Sequence, residues 1–179
     1  MSRKIKLGII MLMICLFSQA SIIMAQSTLA VNINQVDSVG LRDGLWIEEY
    51  GQQKRFSYYQ RGILNGPCWI TSTCSNHLLA YGEFFKGAYS GTWYSFDDDG
   101  ILLSIQKDFK KVNVQIPIIH KTEGFCSYQC YHISYYPNGS KESEGILLWE
   151  TSPDSDFTFE FGEWKYYDNK GRLTYIRKF

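Results

Sequence analysis

Tryptophan returns in this chain at a nearly fixed distance behind glycine. Gly44-Leu45-Trp46, Gly66-Pro67-Cys68-Trp69, Gly91-Thr92-Trp93 and Gly162-Glu163-Trp164 each reach Trp within three residues of Gly, and the first three Trp are 23 and 24 residues apart. A fifth unit, "HISYYPNGSKESEG" from His132, keeps the tail of the pattern with Gly139 seven residues on. The glycines upstream repeat as well, since "YYQRGILNG" and "FFKGAYSG" each carry two glycines four apart. Self-similarity at such a period constrains the fold more than composition can, because each unit packs chiefly on its neighbours.

The unit is a hairpin. Asp97-Asp98-Asp99-Gly100, Pro137-Asn138-Gly139 and Asp168-Asn169-Lys170-Gly171 are turn sequences, in which Asp and Asn bond to the backbone and Gly takes the left-handed position. Asp43-Gly44, Asn65-Gly66 and Ser90-Gly91 are expected to be the turns at the opposite end, before each Trp strand. Between turns lie "TWYSF", "ILLSI", "EWKYY" and "RLTYI", rich in aromatic and β-branched residues and too short for helices. The expected fold is all-β, a single-layer antiparallel meander of successive hairpins over residues 43–179. Residues 104–131 lack the Trp signature, and "ETSPDSDFTFEF" at 150–161 reads as an insertion bulging from one hairpin.

The first 25 residues differ in kind. Arg3-Lys4-Ile5-Lys6 is a basic start, Leu7 to Phe17 is apolar, and small residues offer cleavage after Ala20 or Ala25. This is the layout of a secretory signal peptide, expected to be helical before removal. The competing reading, an uncleaved anchor, is opposed by Ser18, Gln19 and Ser21 and by the lack of a following basic cluster. The mature chain is therefore expected in the periplasm, the outer cell envelope or the extracellular space, with no membrane span left. Residues 26–42 are a tether or a leading strand.

Charge excludes one class of partner. The full chain has 18 basic and 18 acidic residues; loss of Arg3, Lys4 and Lys6 with the leader leaves 15 against 18, a net of −3. No basic patch for nucleic acid is present in the sequence. Export also changes how cysteines read. Cys68, Cys74, Cys126 and Cys130 remain after the leader, enough for two disulfides with three connectivities. Cys126 and Cys130 would stand about 13 Å apart on one strand, too far to bridge. Pairing the 68/74 segment with the 126/130 segment fits an antiparallel register, and four buried thiols are the other reading.

The residues "YYPNGSKESEG", "GTWYSFDDDG" and "GEWKYYDNKGRL" resemble the MORN-variant repeats, in particular bacterial repeat proteins labelled antitoxins of toxin–antitoxin systems. The resemblance covers roughly residues 42–179 in patches. It implies a single-layer sheet of hairpins serving as a scaffold or partner-binding surface.

Chemistry is sparse. Cys126-x3-Cys130-x-His132, with His77 and His120 elsewhere, lacks the second ligand pair of a structural zinc site. The Asp97–Asp99 run would need a Glu where Asp108 stands to read as a calcium loop. No nucleophile elbow, metalloprotease helix or phosphate loop occurs, and the Gly-Glu-aromatic pattern at Glu83 and Glu163 follows from the repeat. No metal and no cofactor is expected, and no enzyme activity.

The aromatics carry the functional expectation: 13 Tyr, 11 Phe and 5 Trp make 16% of the chain. Trp46, Trp69, Trp93 and Trp164 are expected at equal places in successive units, as a ladder that is mostly the fold's own core. Tyr94 and Phe96 beside Trp93, Tyr135, and Tyr166 and Tyr167 beside Trp164 occupy both strand parities, so one face cannot absorb them all. Surplus rings on an exposed face suit recognition. The leading expectation is a protein partner; the alternative is an envelope glycan stacked on the rings, and a hydrolase ranks last.

Overall fold

The computed structural model describes residues 32–116, 124–149 and 158–179, so the expected signal peptide lies outside the described residues. The strands are β1 (Gln35–Val36), β2 (Arg42–Tyr50), β3 (Gln53–Gln60), β4 (Ile63–Ser72), β5 (Leu78–Phe85), β6 (Ala88–Phe96), β7 (Leu102–Ile116), β8 (Gly124–Tyr135), β9 (Lys141–Trp149), β10 (Thr158–Tyr167) and β11 (Leu173–Lys178). They form one sheet whose spatial order is the chain order, with every neighbouring pair antiparallel. The fold is an all-β meander, and no helix occurs among the described residues.

One turn recurs four times, three times at one end of the sheet and once, between β1 and β2, at the other. Gly40, Gly100, Gly139 and Gly171 donate their N–H to Asp37, Asp97, Tyr136 and Asp168 at 3.0, 3.0, 2.8 and 2.9 Å. In three of them the Asp Oδ1 also accepts two backbone N–H groups, for instance Asp99 and Ile101 on Asp97 at 3.0 and 2.8 Å. Asp37-Ser38-Val39-Gly40 is the turn that joins β1 to β2, so the chain from Ile33 onward is a leading strand of the sheet.

The opposite end differs from expectation. Gly44, Gly66, Gly91 and Gly162 are not turn residues but lie inside β2, β4, β6 and β10. Two-residue turns at Arg61-Gly62 and Lys86-Gly87, with positive φ at both positions, reverse the chain earlier. Gly66, Gly91 and Gly162 sit in bulges, whereas Gly44 pairs regularly with Tyr59. Gly91-Thr92-Trp93 faces the single residue Gly82, and Gly162-Glu163-Trp164 faces Gly145. Gly91 and Gly162 take φ of 63° and 70° there, a conformation that a Cβ would strain.

The bulge lays the indole over the neighbouring backbone. A Cβ built on Gly82 would stand 2.1 Å from the Trp93 ring, and one on Gly145 would stand 2.5 Å from Trp164. Each indole N–H then donates to the carbonyl one residue past that glycine: Trp93 to Glu83 at 3.0 Å, Trp164 to Ile146 at 2.9 Å. Trp46 repeats the arrangement at the start of the sheet, donating to Gln35 at 2.9 Å. Trp164 follows Gly145 by nineteen residues and Trp93 follows Gly82 by eleven. Of the eight extra residues, one more paired residue on each of β9 and β10 accounts for two. Residues 150–157, which lie outside the described residues and stand where a two-residue turn joins β5 to β6, account for six. Residues 158–161, expected in an insertion, instead extend β10 against β9. The segment 104–131 that lacks the Trp signature supplies β7 and much of β8, with extra residues on β7 at 108–109 and 112–113.

Two buried clusters share the indole side. Cys68, Phe84 and Trp93 form one, Cys130, Leu147, Trp149 and Trp164 the other, and Phe109 packs against both. A third cluster joins Cys126 and Leu148 to Val112, Val114, Ile146 and Phe159.

Replacing Gly145 by Ala forces Trp164 off the strand and is expected to cost more than about 2 kcal/mol. Gly139→Ala meets open space and is expected to cost only about 1–2 kcal/mol of left-handed strain. Urea unfolding of the two variants checks the difference.

Candidate functional site

Residues directly opposite in an antiparallel pair stand on one face of the sheet. Followed through the register, one unbroken row crosses ten strands: Ile47, Phe56, Trp69, Tyr81, Tyr94, Ile105, Ile133, Glu144, Lys165 and Ile176. Four successive members are aromatic. Tyr81 is 46% exposed, and Phe56, Trp69 and Tyr94 are half-buried, so the row is reachable from solvent. Phe56 and Trp69 stack at 4.8 Å between centroids and 6° between planes, so each ring covers one face of the other.

The other face carries the buried row. Trp46, Ser57, Cys68 and Gly82 are in register across β2 to β5, and Trp93, Gln106, His132 and Gly145 across β6 to β9. Beside it runs a small-residue row, Ala80, Ser95, Ser104, Ser134 and Ser143. Ser134 and Ser143 bond through their hydroxyls at 2.7 Å.

The four expected Trp positions therefore do not form one ladder. Trp46, Trp93 and Trp164 share a place, and Trp69 points to the opposite face. Gly66 precedes Trp69 by three residues where the other glycines precede Trp by two. One residue is enough to turn a strand side chain over, and Cys68 takes the place that Trp holds elsewhere, with its Sγ 3.4 Å from Ser57 Oγ. Trp93 and Trp164 are buried by the fold itself. Tyr166, half-buried, stacks on Tyr175 at 4.5 Å and donates to Glu160 at 2.8 Å. Phe96 and Tyr135 are half-buried at strand ends near the turns. Of the nine expected surface residues, Trp69 and Tyr94 are brought together in the accessible row. Phe56, Tyr81 and the flanking isoleucines were not among them.

Cys68, Cys74 and Cys130 are free thiols, the second exposed in the turn after β4 and the others buried. Cys126 is buried on β8. The expected pairing of the 68/74 and 126/130 segments does not occur, because β4 pairs with β3 and β5 while β8 pairs with β7 and β9. Burial, with a smaller push from Asp108, raises the Cys130 thiol to about 12 and keeps it protonated. Burial lowers His132 below the usual histidine range. Its ring lies 6.1 Å from Trp164, and Gln106 Nε2 is 3.4 Å from its Nδ1. Among the described residues no group of His, Cys, Asp and Glu is placed to hold a metal ion.

The accessible row changes character at Glu144. Burial alone would raise this carboxyl, but hydrogen bonds from Lys141, Tyr167 and Tyr131 outweigh it and hold the group below the ordinary glutamate range. Lys141 Nζ is 2.8 Å from Oε2, and Tyr167 Oη donates to Oε1 at 2.6 Å. Tyr167 is pushed up to about 12, first by this bond and then by burial; Tyr131 also reaches about 12, first by burial and then by its bond to Glu144. Comparison with protein families, characterised proteins and solved structures finds no match.

A lowered carboxyl stabilises the fold above its unfolded value of about 4.3, and the contribution fades as pH falls through that value toward the folded one. Glu144→Gln is therefore expected to destabilise the chain at pH near 7, with the difference from wild type shrinking below about pH 4. Urea midpoints across that range check the sign.

Proposed function

We propose that the chain is an exported, non-enzymatic repeat protein whose accessible row, centred on Trp69, Tyr81 and Tyr94, receives a protein partner. One observation carries this reading: apolar and aromatic side chains persist in register across β2 to β8 on a face that leaves Tyr81 46% exposed. Contiguous exposed apolar surface of this kind is what partner interfaces bury.

The signal-peptide layout supports export, and the similarity to MORN-variant repeats supports a scaffold made of hairpins. A leader sits badly with an antitoxin acting in the cytosol, so the repeat architecture enters this reading and the antitoxin label does not. The repeated bulge, with its indole on the neighbouring backbone, is the structural counterpart of the repeated sequence.

A benzophenone amino acid at position 81 is expected to crosslink one discrete polypeptide in envelope extracts, while the same group at Asn169 does not. Tyr94→Asp is expected to abolish the crosslink and leave the far-UV spectrum unchanged. Retention on an insoluble polysaccharide with no crosslinked protein, or turnover of a glycoside or ester, would overturn the reading.

A further inference from the structure

A cavity of about 240 Å³ lies on the indole side of the sheet, lined from β3 through β8. Strands five apart meet around one small space, so the sheet coils over this face. The walls are Leu64, Phe84, Tyr89 and Phe109, with Tyr89 4.6 Å from Phe84 and 5.5 Å from Phe109 between ring centroids. Arg55, Lys110 and Lys111 also line it, and no carboxylate does among the described residues. Arg55 is fixed in place: its Nε donates to Ser57 Oγ at 3.0 Å, and its Cζ lies 5.9 Å from the Phe84 centroid. Lys110 and Lys111 are both exposed, but Lys111 stands opposite Tyr128 on the cavity side and marks the mouth, whereas Lys110 stands opposite Gln129 on the other face; the rings mark the interior.

We propose that this cavity binds a small organic monoanion, a carboxylate carried on a single aromatic ring or a short alkyl chain. The volume sets the size. An apolar cavity of about 150 Å³ accommodates benzene, so the space here takes one ring or a comparable chain with its carboxylate but not a fused ring system. The charge sets the orientation. The apolar body fills the aromatic interior, and the carboxylate stays at the mouth, where the Lys111 ammonium meets it without full desolvation and the Arg55 guanidinium stands on the same face. Cations concentrate here although the chain without its leader carries a net of −3. The site lies on the face opposite the accessible row, so its failure leaves the protein-docking reading untouched.

The test is a fluorine NMR titration of the full chain with 4-fluorobenzoate. Saturable, submillimolar binding is expected, with 4-fluorobenzyl alcohol binding at least about tenfold more weakly because it lacks the charge. Replacing Lys111 by Gln is expected to weaken 4-fluorobenzoate at least about threefold while leaving the alcohol unaffected. Leu64→Trp, which fills the cavity from a side chain packed on Phe84 and Trp93, is expected to abolish binding of both probes with an unchanged far-UV spectrum. No saturation, equal affinity for acid and alcohol, or indifference to the Lys111 replacement would overturn the proposal. Should Leu64→Trp fail to fold, the exposed Lys111 and the neutral probe decide the matter alone.

Discussion

An indole lying flat on a glycine of the next strand is the contact on which this sheet depends. A sheet that is not sandwiched against another must find burial within itself, and side chains standing straight up from the pleat cannot provide much. The bulge at Gly91 or Gly162 solves this by inserting extra residues that swing the Trp sideways over its neighbour. The ring then buries its face on backbone and its N–H on a carbonyl that the bulge would otherwise expose to solvent. The absence of a side chain at Gly82 and Gly145 is as necessary as the presence of the Trp. Neither half of the pair makes sense without the other.

The same device divides the labour between the faces. Where Gly and Trp are two residues apart, the indole goes to the buried side; where Pro67 adds one residue, it goes to the accessible side and a cysteine fills the vacated place. A single inserted residue in β4 thus moves a large aromatic from the core to the surface row, next to Phe56 and Tyr81. The core keeps its contacts through Cys68, which packs with Phe84 and Trp93. The outer row gains its widest ring at no cost to the repeat.

Much of this was legible in the residues, and the remainder fails for a physical reason. The Asp-x-x-Gly turns announce themselves because the Asp carboxylate and the glycine act within five residues, and Asp37-Ser38-Val39-Gly40 carries the same signature although it was not read as a turn. Hairpin repetition follows from the period. The glycines before each Trp look like turn residues because bulges and turns ask the same thing of the backbone, a positive φ, and sequence alone does not say which is meant. The accessible row was legible only in Trp69 and Tyr94. Tyr81 and Ile105 belong to it only through register, and each bulge resets the parity that a reader would count along the strand.

The cysteines show how topology overrides a pairing argument. Sums of residue numbers favoured bridges between the 68/74 and 126/130 segments, but such arithmetic presumes that the segments are neighbours, and a meander places only consecutive strands side by side. Three strands, β5 to β7, separate β4 from β8. Cys68 and Cys130 instead belong to different buried clusters, each packed as a small hydrophobe among aromatic rings. Burial that raises the Cys130 thiol to about 12 also removes the thiolate through which exchange and oxidation proceed. An oxidising compartment acts on accessible thiolates, so the buried Cys68 and Cys130 need not bridge for the chain to be exported, and Cys74, exposed after β4, is the thiol such a compartment reaches.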